Sequence, residues 1–78
     1  MKISVLNIDR SVKSKVIYQL FVAFGQVTSC DIVMDAATGK SKGFGFVEME
    51  DGEAGQKAVE ELHGKQVGNQ KIRVKTAG

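Results

Sequence analysis

Three features of the sequence predict an α+β fold. Four short segments alternate apolar and polar residues at the period of a strand, and two longer ones repeat apolar residues at helical spacing. The two kinds follow one another as strand, helix, strand, strand, helix, strand. Right-handed crossovers fold that order into a ferredoxin-like βαββαβ sandwich, a four-stranded antiparallel sheet with two helices packed on one face. The other face of the sheet is left open. With no internal repeat, low-complexity tract or linker, residues 1–78 are expected to form a single domain that carries the whole function.

The first strand is Lys2 to Asn7, alternating around inward Ile3 and Val5. From Val12 to Phe24 the residues Val12, Val16, Ile17, Leu20, Phe21 and Phe24 recur at helical spacing, and Gly25 stands where a left-handed C-cap is wanted. The start of this helix is open between two N-cap candidates, Ser11 and Ser14, while Lys13 and Lys15 oppose the positive end of its dipole. Val27 to Met34 is the second strand, with Val27, Cys30 and Ile32 inward, and Asp35 to Lys42, containing Thr38-Gly39, is a loop. Gly43 to Met49 is the third strand. Glu53 to His63 is the second helix, with Ala54, Ala58, Val59 and Leu62 on one stripe, and Gly64 ends it. Gly68-Asn69 is a turn signal, and Lys71 to Lys75 is the fourth strand with Ile72 and Val74 inward.

Composition bounds the function. At 78 residues, 42% apolar and 26% charged, the chain is suited to one small core and lies outside the disordered class. The apolar-rich stretch from Val16 to Phe24 is interrupted by Gln19 and too short for a bilayer, and no charged-then-apolar signal segment opens the chain, so no membrane role and a cytoplasmic location are expected. The lone Cys30 has no internal disulfide partner, and no Cys or His cluster has metal-site spacing, so neither a metal nor another cofactor is implied. A net charge of +2 permits a polyanionic partner without arguing for one.

The most informative segment is Lys42-Gly43-Phe44-Gly45-Phe46-Val47-Glu48-Met49. Strand alternation puts Lys42, Phe44, Phe46 and Glu48 on one face and turns Val47 and Met49 to the helices, so two phenylalanines face water. Leaving them uncovered forfeits roughly 1.5 to 3 kcal/mol of burial for each ring, and a ligand that stacks on them removes that cost. Unpaired bases fit, because stacking on an aromatic side chain contributes about 1 to 3 kcal/mol per base whatever the base. Gly43 and Gly45 point the other way and are expected to let a helix approach the sheet closely. The competing cover for the rings is another chain or an extra helix.

This octamer resembles the signature of the RNA-recognition-motif family at every position but the last, where Met49 stands for an aromatic residue. The resemblance extends through the hexamer-like Ile3-Ser4-Val5-Leu6-Asn7-Ile8, Leu20-Phe21, Phe24-Gly25, Thr38-Gly39, Ala58-Val59, Gly64, Ile72 and Val74. Within the family the chain looks most like the small stand-alone RNA-binding proteins of bacteria and the glycine-rich RNA-binding proteins. The resemblance implies that Phe46 stacks on a base, Phe44 lies against sugars and Lys42 meets a phosphate. It also implies a departure, because Ser4 replaces an aromatic that would stack on the neighbouring base, so modest affinity and specificity are expected. Lys71, Arg73 and Lys75, opposite Ile72 and Val74, are read with Lys2 as a basic edge of the binding face, and Leu6 and Val33 with Ser4 shape the rest. The acidic residues Glu50, Asp51, Glu53, Glu60 and Glu61 are read as lying away from it, in or near the second helix.

Other signals do not carry chemistry. Thr38-Gly39-Lys40-Ser41 ends like a phosphate-binding loop, but the glycine that motif needs falls at Met34, and Gly43-Phe44-Gly45 opens a strand, not a helix. His63 reads as a residue of a helix cap and Cys30 as a small buried hydrophobe. Tyr18 and Val22 share an outer helix face and mark a weak self-association patch at most. No acid, base and nucleophile set shares a pocket, so no catalytic residue and no enzyme is expected. The expected partner is single-stranded RNA, with single-stranded DNA undistinguished from it, and a second copy of the domain or another protein on the same face is the alternative.

Overall fold

The computed structural model describes residues 1–77. The elements are β1 (Lys2–Leu6), α1 (Ser14–Val22), β2 (Val27–Met34), β3 (Ser41–Met49), α2 (Gly52–Leu62), β4 (Gln66–Val67), β5 (Gln70–Lys71) and β6 (Arg73–Thr76). An antiparallel sheet runs in the order β2-β3-β1-β6. Its inward residues Ile3, Val5, Val47, Met49 and Val74 form one buried cluster with Ile17 and Phe21 of α1 and Ala58 and Leu62 of α2. Both helices therefore cover the same face, and the ferredoxin-like sandwich is present.

The ends of α1 differ from the sequence expectation. Neither serine caps it: Lys13 holds the N-cap position with no side-chain bond. Ser11 is engaged elsewhere, its backbone N–H and hydroxyl both donating to Asp9 Oδ1 at 2.9 and 2.8 Å. At the other end Ala23 stays right-handed, and Gly25 is not among the positive-φ residues. Gly25 is needed instead for close approach, because a Cβ there would stand 2.8 Å from that of Ala54 on α2. The helix α2 begins and ends one residue earlier than expected; Asp51 caps it by accepting from the Glu53 N–H at 3.1 Å. Gly64 follows at φ 84°, so it does end the helix.

In β2, Val27, Cys30 and Ile32 all pack against the core, although their spacing breaks strict alternation. A register shift between Val27 and Ser29 absorbs the extra residue. β3 starts two residues before the expected Gly43, at Ser41. The expected fourth strand is divided. Gly68 and Asn69 make the turn of a hairpin in which Lys71 pairs with Gln66, and Ile72 exchanges bonds with Gly64 and Lys65 at 2.8 and 2.9 Å. Only from Arg73 is the backbone free to pair with β1.

Asp9 ties that hairpin to the β1–α1 loop. Its Oδ2 accepts the Asn69 N–H at 2.8 Å, and the backbone N–H of Ser11, then that of Asn69, then the Ser11 hydroxyl hold its carboxyl below the usual 3.8. A depressed folded pKa means a contribution fully present above the unfolded value and lost as pH falls through the folded one. Asp9→Asn is accordingly expected to lower the urea midpoint at neutral pH, with the gap to the parent closing on acidification below about pH 4. A gap that does not change with pH would show that the carboxylate charge is not what holds the turn.

Candidate nucleic-acid interface

The open face is assembled by register. Ser4 on β1 pairs with Phe46 on one side and Lys75 on the other, and Phe46 pairs in turn with Asp31. This sets Lys75, Ser4, Phe46 and Asp31 in one row across all four strands. Arg73 pairs with Leu6, and Lys2 pairs with Glu48, which faces Ser29. The buried partners Ile3, Val5, Val47 and Val74 alternate with these residues, which therefore point away from the helices.

Two rings lie at the centre. Phe44 and Phe46 meet edge to face, with centroids 6.4 Å apart and planes at 88°. Phe46 is the more open, at 36% exposure, whereas Phe44 is half-buried, so only one ring is as exposed as the sequence suggested. The Lys2 Nζ lies 4.9 Å from the Phe46 centroid. That cation–π contact is worth roughly 0.5 to 1 kcal/mol at an exposed site, less than the 1 to 3 kcal/mol of a stacked base. The contact is thus weak enough for a stacked base to compete with the ammonium for the ring.

The glycines between the rings have different reasons from the one expected. A Cβ on Gly45 would overlap the Asp31 carbonyl oxygen and come within 2.8 Å of Ile32 Cα. The close neighbour is thus the β2 backbone, not a helix. Gly43 adopts φ 83°, a conformation that side chains disfavour, and its carbonyl accepts the Ile8 N–H at 2.8 Å.

Of the other residues singled out by sequence, Lys2, Ser4, Leu6, Arg73 and Lys75 come together on this face through the β1–β3 and β1–β6 pairings. Lys42, exposed at the start of β3, lines a groove of about 430 Å³ together with Phe44. Lys71 is set apart: it sits on the hairpin, where its carbonyl accepts from Asn7 Nδ2 at 2.9 Å. Val33 is half-buried at a second register shift, between Ile32 and Met34, so alternation does not carry through to it.

Sequence reasoning missed two features. Asp31 puts a carboxylate beside Phe46, and its position between inward Cys30 and Ile32 was the available signal. With Glu48 opposite Lys2, the face is basic along β1 and β6 and acidic toward β2, so the acidic residues are not all remote from it. Arg10 and Lys40 flank Phe44 and Lys42 in the same groove; they lie in loops, where no periodicity marks an orientation.

Of the residues read as structural, His63 is the C-cap of α2, while Cys30 is only partly buried against the core, not fully buried as expected. His63 Nδ1 accepts the Val74 N–H at 3.0 Å, using one ring nitrogen to satisfy β6. Burial first, and then the Asp31 charge, push the Cys30 thiol up, away from the reactive thiolate. No group of three or more His, Cys, Asp or Glu among the described residues could hold a metal ion, and no helix among them is long and apolar enough to cross a membrane.

Residues 3–73 match the family model of the RNA recognition motif. Polyadenylate-binding protein 5 of Arabidopsis thaliana is 38% identical over 68 residues, which is 87% of this chain but 10% of that protein. The chain spans about a tenth of the length of the curated relatives it matches. Among solved structures, RNA binding protein PG1 superposes with a TM-score of 0.95 at 40% identity, covering 99% of this chain and 93% of that one. A Sxl-lethal protein/RNA complex gives 0.94 at 30% identity, over 99% of this chain and 46% of that one. An open sheet face with two adjoining phenylalanines and a basic edge, on a sandwich matched end to end by these structures, places the chain in the RNA recognition motif family.

Proposed function

We propose that the domain is an RNA-binding module, not an enzyme, and that single-stranded RNA lies across the open face. The observation that carries this reading is the row Lys75–Ser4–Phe46–Asp31, a stacking ring with a cation on one side and a hydrogen-bond acceptor on the other. Phe46 stacks on a base, Phe44 backs it and contacts sugar, and Lys2, Lys42, Arg73 and Lys75 neutralise phosphates. The names of the similar proteins, a polyadenylate-binding protein and an RNA-bound complex among them, support the same ligand.

Asp31 gives the face a preference. Its carboxylate accepts hydrogen bonds and donates none, so it suits a base with an exocyclic amino group, adenine among them, over uracil, whose edge offers a single N–H between two carbonyls. Titrations of labelled oligoadenylate and oligouridylate over a range of salt concentrations test both parts. The expected logarithmic salt slope is about −2 to −3, from three or four phosphate contacts at roughly −0.7 each, with oligoadenylate the tighter ligand. Binding insensitive to salt would instead favour an apolar peptide or a second copy of the domain on this face.

A further inference from the structure

β6 is a short strand at an edge of the sheet. Its residues Arg73–Thr76 pair with β1, and among the described residues no strand pairs with its other side. The buried Val74 donates its N–H not to a strand but to the side chain of His63, at 3.0 Å from Nδ1. Arg73 and Lys75, on either side of Val74, are two of the cations that the open face offers to phosphates. A single imidazole at the end of α2 thus ties down the stretch of β6 that carries them.

Nδ1 accepts a hydrogen bond only while it carries no proton. The neutral ring with its proton on Nε2 makes this bond, whereas protonation puts an N–H on both nitrogens and turns two donors toward each other. Imidazole is the side chain that makes this change between about pH 5 and 8. The charged groups around His63 are Glu60 and Glu61 in the last turn of α2, Lys65 before β4, Lys71 on β5, and Arg73 and Lys75 on β6. All are exposed, so solvent and salt screen them, while loss of the bond acts directly on the β6 backbone.

We propose that His63 is a positioning residue of the RNA face: its neutral ring anchors β6, and protonation releases the anchor and lowers RNA affinity. The proposal rests on the RNA reading of the open face and adds to it a dependence on pH. The sign of that dependence separates two effects. A positive charge gained at His63 with no change in β6 would attract RNA and raise affinity on acidification. Release of β6 lowers it.

The test titrates a labelled oligouridylate octamer, whose bases keep their charge over the range, at pH 7.5 and 5.5 with the parent, His63→Asn and His63→Phe. Asn Oδ1 stands one bond beyond Cγ, as Nδ1 does in histidine, so it accepts the same N–H without titrating; phenylalanine keeps a ring and removes the acceptor. On acidification the parent is expected to lose about three- to tenfold more affinity than His63→Asn, the range that one net hydrogen bond spans. At pH 7.5 His63→Asn should match the parent within about twofold, and His63→Phe should be weaker by about three- to tenfold. Amide exchange at Val74, read by NMR, should be faster in the parent than in His63→Asn at pH 5.5 and alike in the two at pH 7.5. Parallel pH profiles of the parent and His63→Asn, or tighter binding by the parent alone on acidification, overturn the role of His63 while leaving the sheet site standing. No binding by the parent at pH 7.5 overturns the RNA reading itself.

Discussion

Replacing Ser4 with phenylalanine is expected to tighten single-stranded RNA binding by roughly five- to a hundred-and-fifty-fold, the range set by about 1 to 3 kcal/mol for one further stacked base. Ser4 sits between Phe46 and Lys75 in the central row, where its hydroxyl can bond a base edge but offers no flat surface. Because residue 4 points away from the buried Ile3 and Val5, a ring there adds a second platform without entering the core. Anisotropy titrations of Ser4→Phe and the parent against the same octamer measure the gain. Equal affinities would mean that no base reaches the β1 side of the sheet.

The second large effect falls on stability. Gly45→Ala directs a methyl group at the Asp31 carbonyl and Ile32 Cα, both backbone atoms of the paired strand, which no rotamer change can clear. The β2–β3 pair must separate locally, and overpacking of this kind costs roughly 1 to 3 kcal/mol. For a domain of this size that corresponds to a fall in Tm of about 5 to 20 °C, a large part of a net stability of only several kcal/mol. Thermal unfolding followed by circular dichroism reads it. A Tm within a degree or two of the parent would show that the strands separate at little cost. The same substitution moves Asp31 relative to Phe46, so RNA affinity should fall with stability.

Much of this was legible in the sequence because the elements follow periods. Ile3 and Val5, Val47 and Met49, and Ile72 and Val74 announce the inner face of the sheet by alternation, and their burial follows. The outward set Lys2, Ser4, Leu6, Phe44 and Phe46 is the complement of that pattern, so the centre of the open face was readable from alternation alone. What stayed hidden depends on contacts distant in sequence. Ser11 offers itself as a cap until Asp9 takes its N–H and hydroxyl. Gly25 looks like a helix stop, but its small size answers to Ala54 on the other helix, and Gly45 answers to the β2 backbone. Lys71 continues a faultless alternation, yet the hairpin closed by Gly68 and Asn69 claims its backbone first. Arg10 and Lys40 reach the groove beside Phe44 only because two loops separated in sequence by the whole of α1 and β2 meet there.

The central claim is that Phe44 and Phe46 hold single-stranded RNA on the open face. It is tested most directly by titrating one labelled octamer with the parent and with Phe44→Ala/Phe46→Ala, after circular dichroism has established that the variant is folded. Loss of binding by at least about tenfold in a folded variant is the expected result, from the stacking of one or two bases. A folded double variant that binds as tightly as the parent would contradict it and move the RNA, or the function, to another surface.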